Sequence, residues 1–116
     1  KVEIFYCDLI PAPDFEKKGK IEVEIDVDKI KTDYYHVWAG TTDYLKINTE
    51  DDWEILEIIF DLFNQKKPEN FSHRFRSLSI GDVIALDQRF YVCQTLDWRQ
   101  LSQRETQAFS AVKQSN

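Results

Sequence analysis

One stretch limits the fold more than any other. Asp51 to Asn64 reads DDWEILEIIFDLFN, the most apolar run in the chain. At 100° per residue, Glu50, Glu54, Glu57 and Asp61 fall into one narrow stripe. Trp53, Ile55, Leu56, Ile58, Ile59, Phe60, Leu62 and Phe63 cover roughly two-thirds of the circumference, wider than the stripe of about 100° that a surface helix buries. This spacing predicts a helix wrapped by a curved sheet or held between two layers, with Trp53, Leu56, Phe60 and Phe63 buried. Asn48 or Thr49 is placed to cap its first turn, and Glu50, Asp51 and Asp52 oppose the positive end of its dipole. The helix ends near Asn64, because Gln65 to Pro68 are polar and Pro68 disfavours helical backbone at Lys67.

After a loop to about Phe75 comes the segment RSLSIGDVIALD, Arg76 to Asp87. Leu78 and Ile80 alternate with Ser77 and Ser79, Gly81-Asp82 forms a turn, and Val83 to Leu86 makes a short buried strand. Asp87-Gln88-Arg89 joins it to Phe90-Tyr91-Val92-Cys93 as a tight hairpin. With Leu56, Phe60, Phe63-Asn64, Pro68 and Phe71 ahead of it, this order of residues resembles the YodL-like family, small domains of bacteria and their mobile elements. The matching positions run on through Arg76-Ser77-Leu78-Ser79, Asp82-Val83-Ile84 and Tyr91-Val92, about a third of the chain. Where the family commonly has an acidic residue and a Gly-aromatic pair, this chain has Gln94-Thr95-Leu96-Asp97-Trp98, without the glycine. The resemblance implies a fold and no catalytic chemistry.

Upstream, Lys1 to Asp8 places Val2, Ile4 and Tyr6 on one face and Phe5 and Cys7 on the other, as in a strand buried on both sides. Pro11-Ala12-Pro13 ends it. Lys20 to Asp28 alternates most cleanly, with Ile21, Val23, Ile25 and Val27 inward against the helix and Glu22, Glu24, Asp26 and Asp28 outward. Lys29 to Asp33 reads as a turn, Tyr34 to Trp38 as a strand, Gly40 to Asp43 as a turn, and Tyr44 to Ile47 as another strand. Ser102 with Glu105 has the form of a capping box, which opens a final helix from Gln103 to Lys113. The order β-β-β-β-α-β-β-α predicts an α+β fold. Its sheet is mostly antiparallel with about five to six strands, joined by one long central helix and a short C-terminal helix.

At 116 residues the chain is one domain, residues 1–116, large enough to bury a core without metal or crosslinks. With 42% hydrophobic and 14% aromatic residues it is a packed globule rather than a disordered chain. No apolar run reaches the roughly 18 residues of a membrane helix, so no membrane partner is expected. The absence of methionine suggests a segment of a longer product. Cys7 and Cys93 sit in apolar strands and read as reduced, buried thiols, which points to the cytoplasm.

Net charge is −6, but residues 1–63 hold sixteen of the 21 acidic side chains, while every arginine lies between Arg74 and Arg104. Two surfaces follow as candidates. Glu22, Glu24, Asp26 and Asp28, spaced about 6.7 Å apart on a strand, together with Glu50, Glu54, Glu57 and Asp61, can present an anionic face to a nucleic-acid-binding protein. The plainer reading is two solvated faces that keep the domain soluble. Arg74, Arg76, Arg89 and Arg99, interleaved with Phe71, Phe75, Phe90, Tyr91 and Trp98, can stack on bases and hold phosphates, although a pI near 4.9 argues against nucleic acid.

Enzymatic motifs are missing. His36 and His73 lack metal-ligand spacing with the two cysteines, so neither metal nor cofactor is expected. Ser77 and Ser79 lack a nucleophile-elbow context, and three glycines are too few for a phosphate loop. Asp82 after Gly81 reads as a turn-capping residue, so Ser77, Leu78, Ser79, Gly81 and Asp82 form a structural motif. The function expected is that of a non-enzymatic module binding another protein, with nucleic-acid binding through residues 71–99 as the alternative. The sequence leaves the oligomeric state open.

Overall fold

Two short strands with no polar face set the centre of the fold. The structure, a computed structural model, describes residues 1–8, 23–65, 77–95 and 97–112. Its elements are β1 (Val2–Cys7), α1 (Ile30–Asp33), β2 (Tyr34–Gly40), α2 (Asp52–Gln65), β3 (Val83–Leu86), β4 (Arg89–Cys93), β5 (Trp98–Gln100) and α3 (Gln103–Ala108). The strands form one antiparallel sheet in the order β2-β1-β3-β4-β5, and with the helices this is an α+β fold. β1 inserts between β2 and β3, so the first residues of the chain pair with residues about eighty positions away.

Both faces of the sheet are covered. Val2, Ile4 and Tyr6 of β1, Ile84 and Leu86 of β3, and Tyr91 and Cys93 of β4 meet Ile55, Leu56, Ile59 and Phe63 of α2. The other side chains of these strands, Phe5, Cys7, Val83, Ala85 and Val92, meet Ile30, Tyr34, Leu101 and Phe109. Burial on two sides is why β1 and β3 carry almost unbroken apolar sequence. A bulge in β2 supports this arrangement. Ile4 pairs with Trp38 and Phe5 with His36, so Val37 is the extra residue, and Val37 and Trp38 both join the α2 side. The Trp38 indole packs edge-on to Phe63 at 5.1 Å and lies over Gly40, where a Cβ would come within 2.2 Å of its ring.

The central helix is fourteen residues, of moderate length, and it is not wrapped. One sheet face covers one side of it, so Trp53 stays 52% exposed and Ile58 37% exposed, and Phe60 and Leu62 are only partly buried. Its cap is Asp51, whose Oδ1 accepts the Trp53 N–H at 2.9 Å, while Thr49 Oγ1 accepts the Asp51 N–H.

Among the described residues, two expected strands do not form. In the segment expected as a strand over Lys20 to Asp28, the described part, 23–28, pairs with no strand. Asp26 Oδ1 accepts the Asp28 N–H and opens a 3-10 turn, Val27–Lys29, that runs into α1. Val23 and Ile25 pack on the face opposite α2 rather than against it. Tyr44 to Ile47 curls instead of extending: the Thr41 hydroxyl accepts the Tyr44 N–H, Thr42 O accepts from Ile47 N–H, and Lys46 takes φ 58°.

Expected features that formed are local ones. Leu86 pairs with Arg89 across the two-residue loop Asp87-Gln88, with Asp87 at φ 57°. Ser102 Oγ and the Glu105 carboxylate cap α3 reciprocally; α3 ends at Ala108, and Phe109 and Val112 dock it through a further 3-10 turn. Cys7 and Cys93 are buried and unbridged, on opposite faces of the sheet.

Candidate functional site

The segment Ser77 to Asp82 is a set of backbone ties. Asn64, at the end of α2, accepts the Leu78 N–H at 2.6 Å and donates its side-chain amide to Leu78 O, anchoring the chain where it returns to the sheet. Leu78 is buried, and Ser77 is exposed. Asp82 is wholly buried; Oδ1 accepts the Cys7 N–H at 2.9 Å and Oδ2 the Ser79 N–H at 2.8 Å. Gly81, at φ 96°, turns the chain, and its carbonyl accepts the Tyr34 hydroxyl at 2.6 Å. Burial pushes the Tyr34 phenol well above its usual range, so it stays a donor at any working pH. These residues join α2, β1, β2 and β3.

That geometry accounts for the residue order seen in the sequence, and a family model, the YodL-like domain, matches residues 13–103. The chain belongs to the YodL-like domain family. No curated protein and no solved structure matched it.

In this YodL-like domain a groove of about 580 Å³ opens between the start of α2 and the β4–β5 edge of the sheet. Asp51, Asp52 and Trp53 form one wall, and Tyr91, Gln94, Asp97 and Trp98 to Gln100 the other. A smaller hollow of about 180 Å³, with Glu57 and Phe60, shares Gln94, Asp97 and Trp98 with it. Trp53 leans on Tyr91, ring centroids 5.9 Å apart, and Phe60 meets Trp98 edge-on at 6.1 Å.

Arg89 Nε and Nη2 grip both oxygens of Asp52 at 2.6 and 3.0 Å, and the Tyr91 hydroxyl donates to the same carboxylate at 2.5 Å. Hydrogen bonding from Arg89 holds Asp52 below the usual carboxylate range. Burial, then Asp52, raises the Tyr91 phenol. This clamp fixes the helix start to β4 and orients both walls of the groove. Acid, guanidinium and phenol are bonded to one another in it.

The sequence-derived candidates distribute as follows. Glu24, Asp26 and Asp28 are exposed on a segment that packs against the α3 side; Glu22 lies outside the described residues. Glu54, Glu57 and Asp61 are exposed on α2 and Glu50 is exposed just before it, on the segment that packs against the other face of the sheet. The described members of the two rows thus stand on segments whose apolar residues pack on opposite faces of the sheet.

Arg74 and Arg76 lie outside the described residues. Arg89 is clamped to Asp52. Arg99 donates to Glu105 at 3.2 and 3.3 Å and to Val23 O at 2.9 Å. Trp98, expected as an exposed ring, is only 7% exposed, because β5 turns it under α2. Arg89, Arg99 and Trp98 thus do not form an open stacking platform.

What the sequence missed is the groove. Its signal was present: Trp53 sits roughly 100° from the centre of the stripe formed by Ile55, Leu56, Ile59 and Phe63, on the margin of the buried face. Among the described residues no group of three His, Cys, Asp or Glu is arranged to hold a metal, and no helix is long and apolar enough to cross a membrane.

Proposed function

We propose that this domain is a non-enzymatic module that binds another protein, through the groove between α2 and the β4–β5 edge. The observation that carries it is Trp53, an indole left half in water at the mouth of an aromatic-walled groove. Tryptophan is the residue most enriched among interface anchors, and an indole held against Tyr91 offers area with little further ordering to lose on binding. The buried, unbridged thiols favour a cytoplasmic setting. Nucleic-acid binding is the weaker reading, since Arg89 and Arg99 are engaged by Asp52 and Glu105 and the groove wall is acidic.

Capture from the host lysate with wild-type domain, Trp53→Ala and a Glu24→Ala/Asp28→Ala pair tests this. One protein should be lost with Trp53→Ala and retained with the pair, while the melting curve of Trp53→Ala shifts little. Retention of every captured protein by Trp53→Ala, or its loss with Arg74→Ala/Arg76→Ala only, would remove the groove from the account.

A further inference from the structure

We infer that Asp52 is a positioning residue of the proposed binding site: through Arg89 and Tyr91 it holds the Trp53 indole against its aromatic platform before a partner arrives. This rests on the groove being a protein-binding site and names what sets its affinity.

Order along the chain is the first ground. Asp51, Asp52 and Trp53 are consecutive at the start of α2, and the two aspartates bond to different groups. Asp51 fixes backbone, since its Oδ1 accepts the Trp53 N–H at 2.9 Å and the Glu54 N–H at 3.4 Å. Such a cap orients the Trp53 peptide but leaves the side-chain torsions to other contacts. Asp52 fixes the platform. Its Oδ2 accepts from the Tyr91 hydroxyl at 2.5 Å and from Arg89 Nε at 2.6 Å, and its Oδ1 accepts from Arg89 Nη2 at 3.0 Å. Trp53 lies on that same Tyr91 ring, centroids 5.9 Å apart and planes at 55°. One carboxylate thus governs both walls, Trp53 as its neighbour in the chain and Tyr91 through the phenol.

The second ground is what the clamp does not have to hold. Leu56, Ile59 and Phe63 are fully buried against the sheet and keep α2 in place by apolar contact. The Arg89 and Asp52 side chains are 46% and 21% exposed, and an ion pair so open to water contributes little to folding. Its effect falls on the side chain next to it. Trp53 is half in water, and among the described residues its ring contact is Tyr91. An indole already ordered loses less freedom on association, a difference worth roughly two- to tenfold in affinity. A guanidinium suits this task, because its planar fork sets both oxygens of the carboxylate, whereas a lysine would reach them as a point charge.

The ring can be read with no partner present. Trp38 and Trp98 are buried, so acrylamide quenching reports chiefly on Trp53, and the Trp53 indole N–H resonance carries the ring current of Tyr91. In Arg89→Gln and Asp52→Asn that resonance should move toward its position in the unfolded chain, its nuclear Overhauser contacts with Tyr91 should weaken, and quenching should rise. The Trp38 and Trp98 indole resonances should stay in place. Arg89→Lys, which keeps a charge but not the fork, should fall between wild type and Arg89→Gln. The protein that wild type captures and Trp53→Ala loses should bind Arg89→Gln roughly two- to tenfold more weakly. A Trp53 resonance and quenching unchanged in both variants would overturn the inference. So would equal movement of Trp38 and Trp98, which makes the clamp a support for the sheet as a whole, or a displaced ring with undiminished affinity. If Trp53→Ala captures all that wild type does, the groove reading falls, while a displaced ring in Arg89→Gln still supports the hold of Asp52 on Trp53.

Discussion

Asparagine in place of Asp82 changes one oxygen for an amide nitrogen at a point where two donors converge. The carboxylate is fully buried, and its two oxygens accept separate backbone N–H groups, from Cys7 at 2.9 Å and Ser79 at 2.8 Å. A hydrogen bond to a charged acceptor contributes about 1.5–3 kcal/mol, and a buried donor left unpaired costs about 1–3 kcal/mol. Asparagine keeps one bond and sets its NH₂ against the other N–H, so the loss should be about 2–4 kcal/mol; Asp82→Ala, which loses both, should cost about 3–6 kcal/mol. Against a total of about 5–15 kcal/mol for a domain, either change is visible. Urea unfolding followed by tryptophan fluorescence measures it, with the m-value unchanged if the unfolded state is unaffected. Hydrogen exchange adds a residue-level readout, because the Cys7 and Ser79 amides should lose protection before their neighbours. A loss below about 1 kcal/mol for Asp82→Asn, or undiminished protection at both amides, would refute the assignment of Asp82 as the tie between β1 and the turn.

Leu56 is completely buried beneath the sheet, so Leu56→Ala should cost about 2–5 kcal/mol in the same urea assay, and a much smaller loss would contradict the packing of α2. His36 is buried beside Phe5, with Nε2 3.3 Å from Glu3 Oε2, and burial lowers its pKa although Glu3 pulls the other way. The unfolded chain therefore takes up a proton below about pH 6.5 that the folded chain resists. Stability should fall as pH drops from about 7 to 5, and His36→Gln should flatten that slope; equal slopes in the two proteins would count against it. Burial pushes the Cys93 thiol up to about 12, and Cys7 is equally enclosed, so iodoacetamide at pH 8 should label neither until the domain unfolds. Labelling of either thiol at the rate of an exposed cysteine would show the core to be open.

Several features of this YodL-like domain are legible in its residues because the forces behind them act over a few positions. The helix Asp52–Gln65 follows from one turn of carboxylates and an apolar stripe, the box of Ser102 and Glu105 from two reciprocal bonds, and the hairpin at Asp87-Gln88 from the two runs that flank it. The two-faced strand at Val2–Cys7 follows from apolar residues at consecutive positions. Of the ties at Asp82 only the local one, from the Ser79 N–H, was readable in the glycine turn; the Cys7 N–H comes from 75 positions away.

Only the tertiary structure decided which surfaces meet. Alternation along Val23 to Asp28 is real, with Val23 buried and Glu24, Asp26 and Asp28 exposed, yet no strand forms there. A period of two states which side avoids water and says nothing of the partner. Asp26 turns the backbone into a 3-10 helix before a ladder can extend, and Val23 and Ile25 then fall on the face away from α2. The same limit applies to charge. Whether Arg89 or Arg99 is available to a ligand depends on Asp52, thirty-seven positions away, and on Glu105 across a strand-to-helix turn. Burial of the tryptophans is decided the same way: Trp98 of β5 is covered where Phe60 of α2 meets it, whereas Trp53 at the start of α2 leans on Tyr91 and stays half in water.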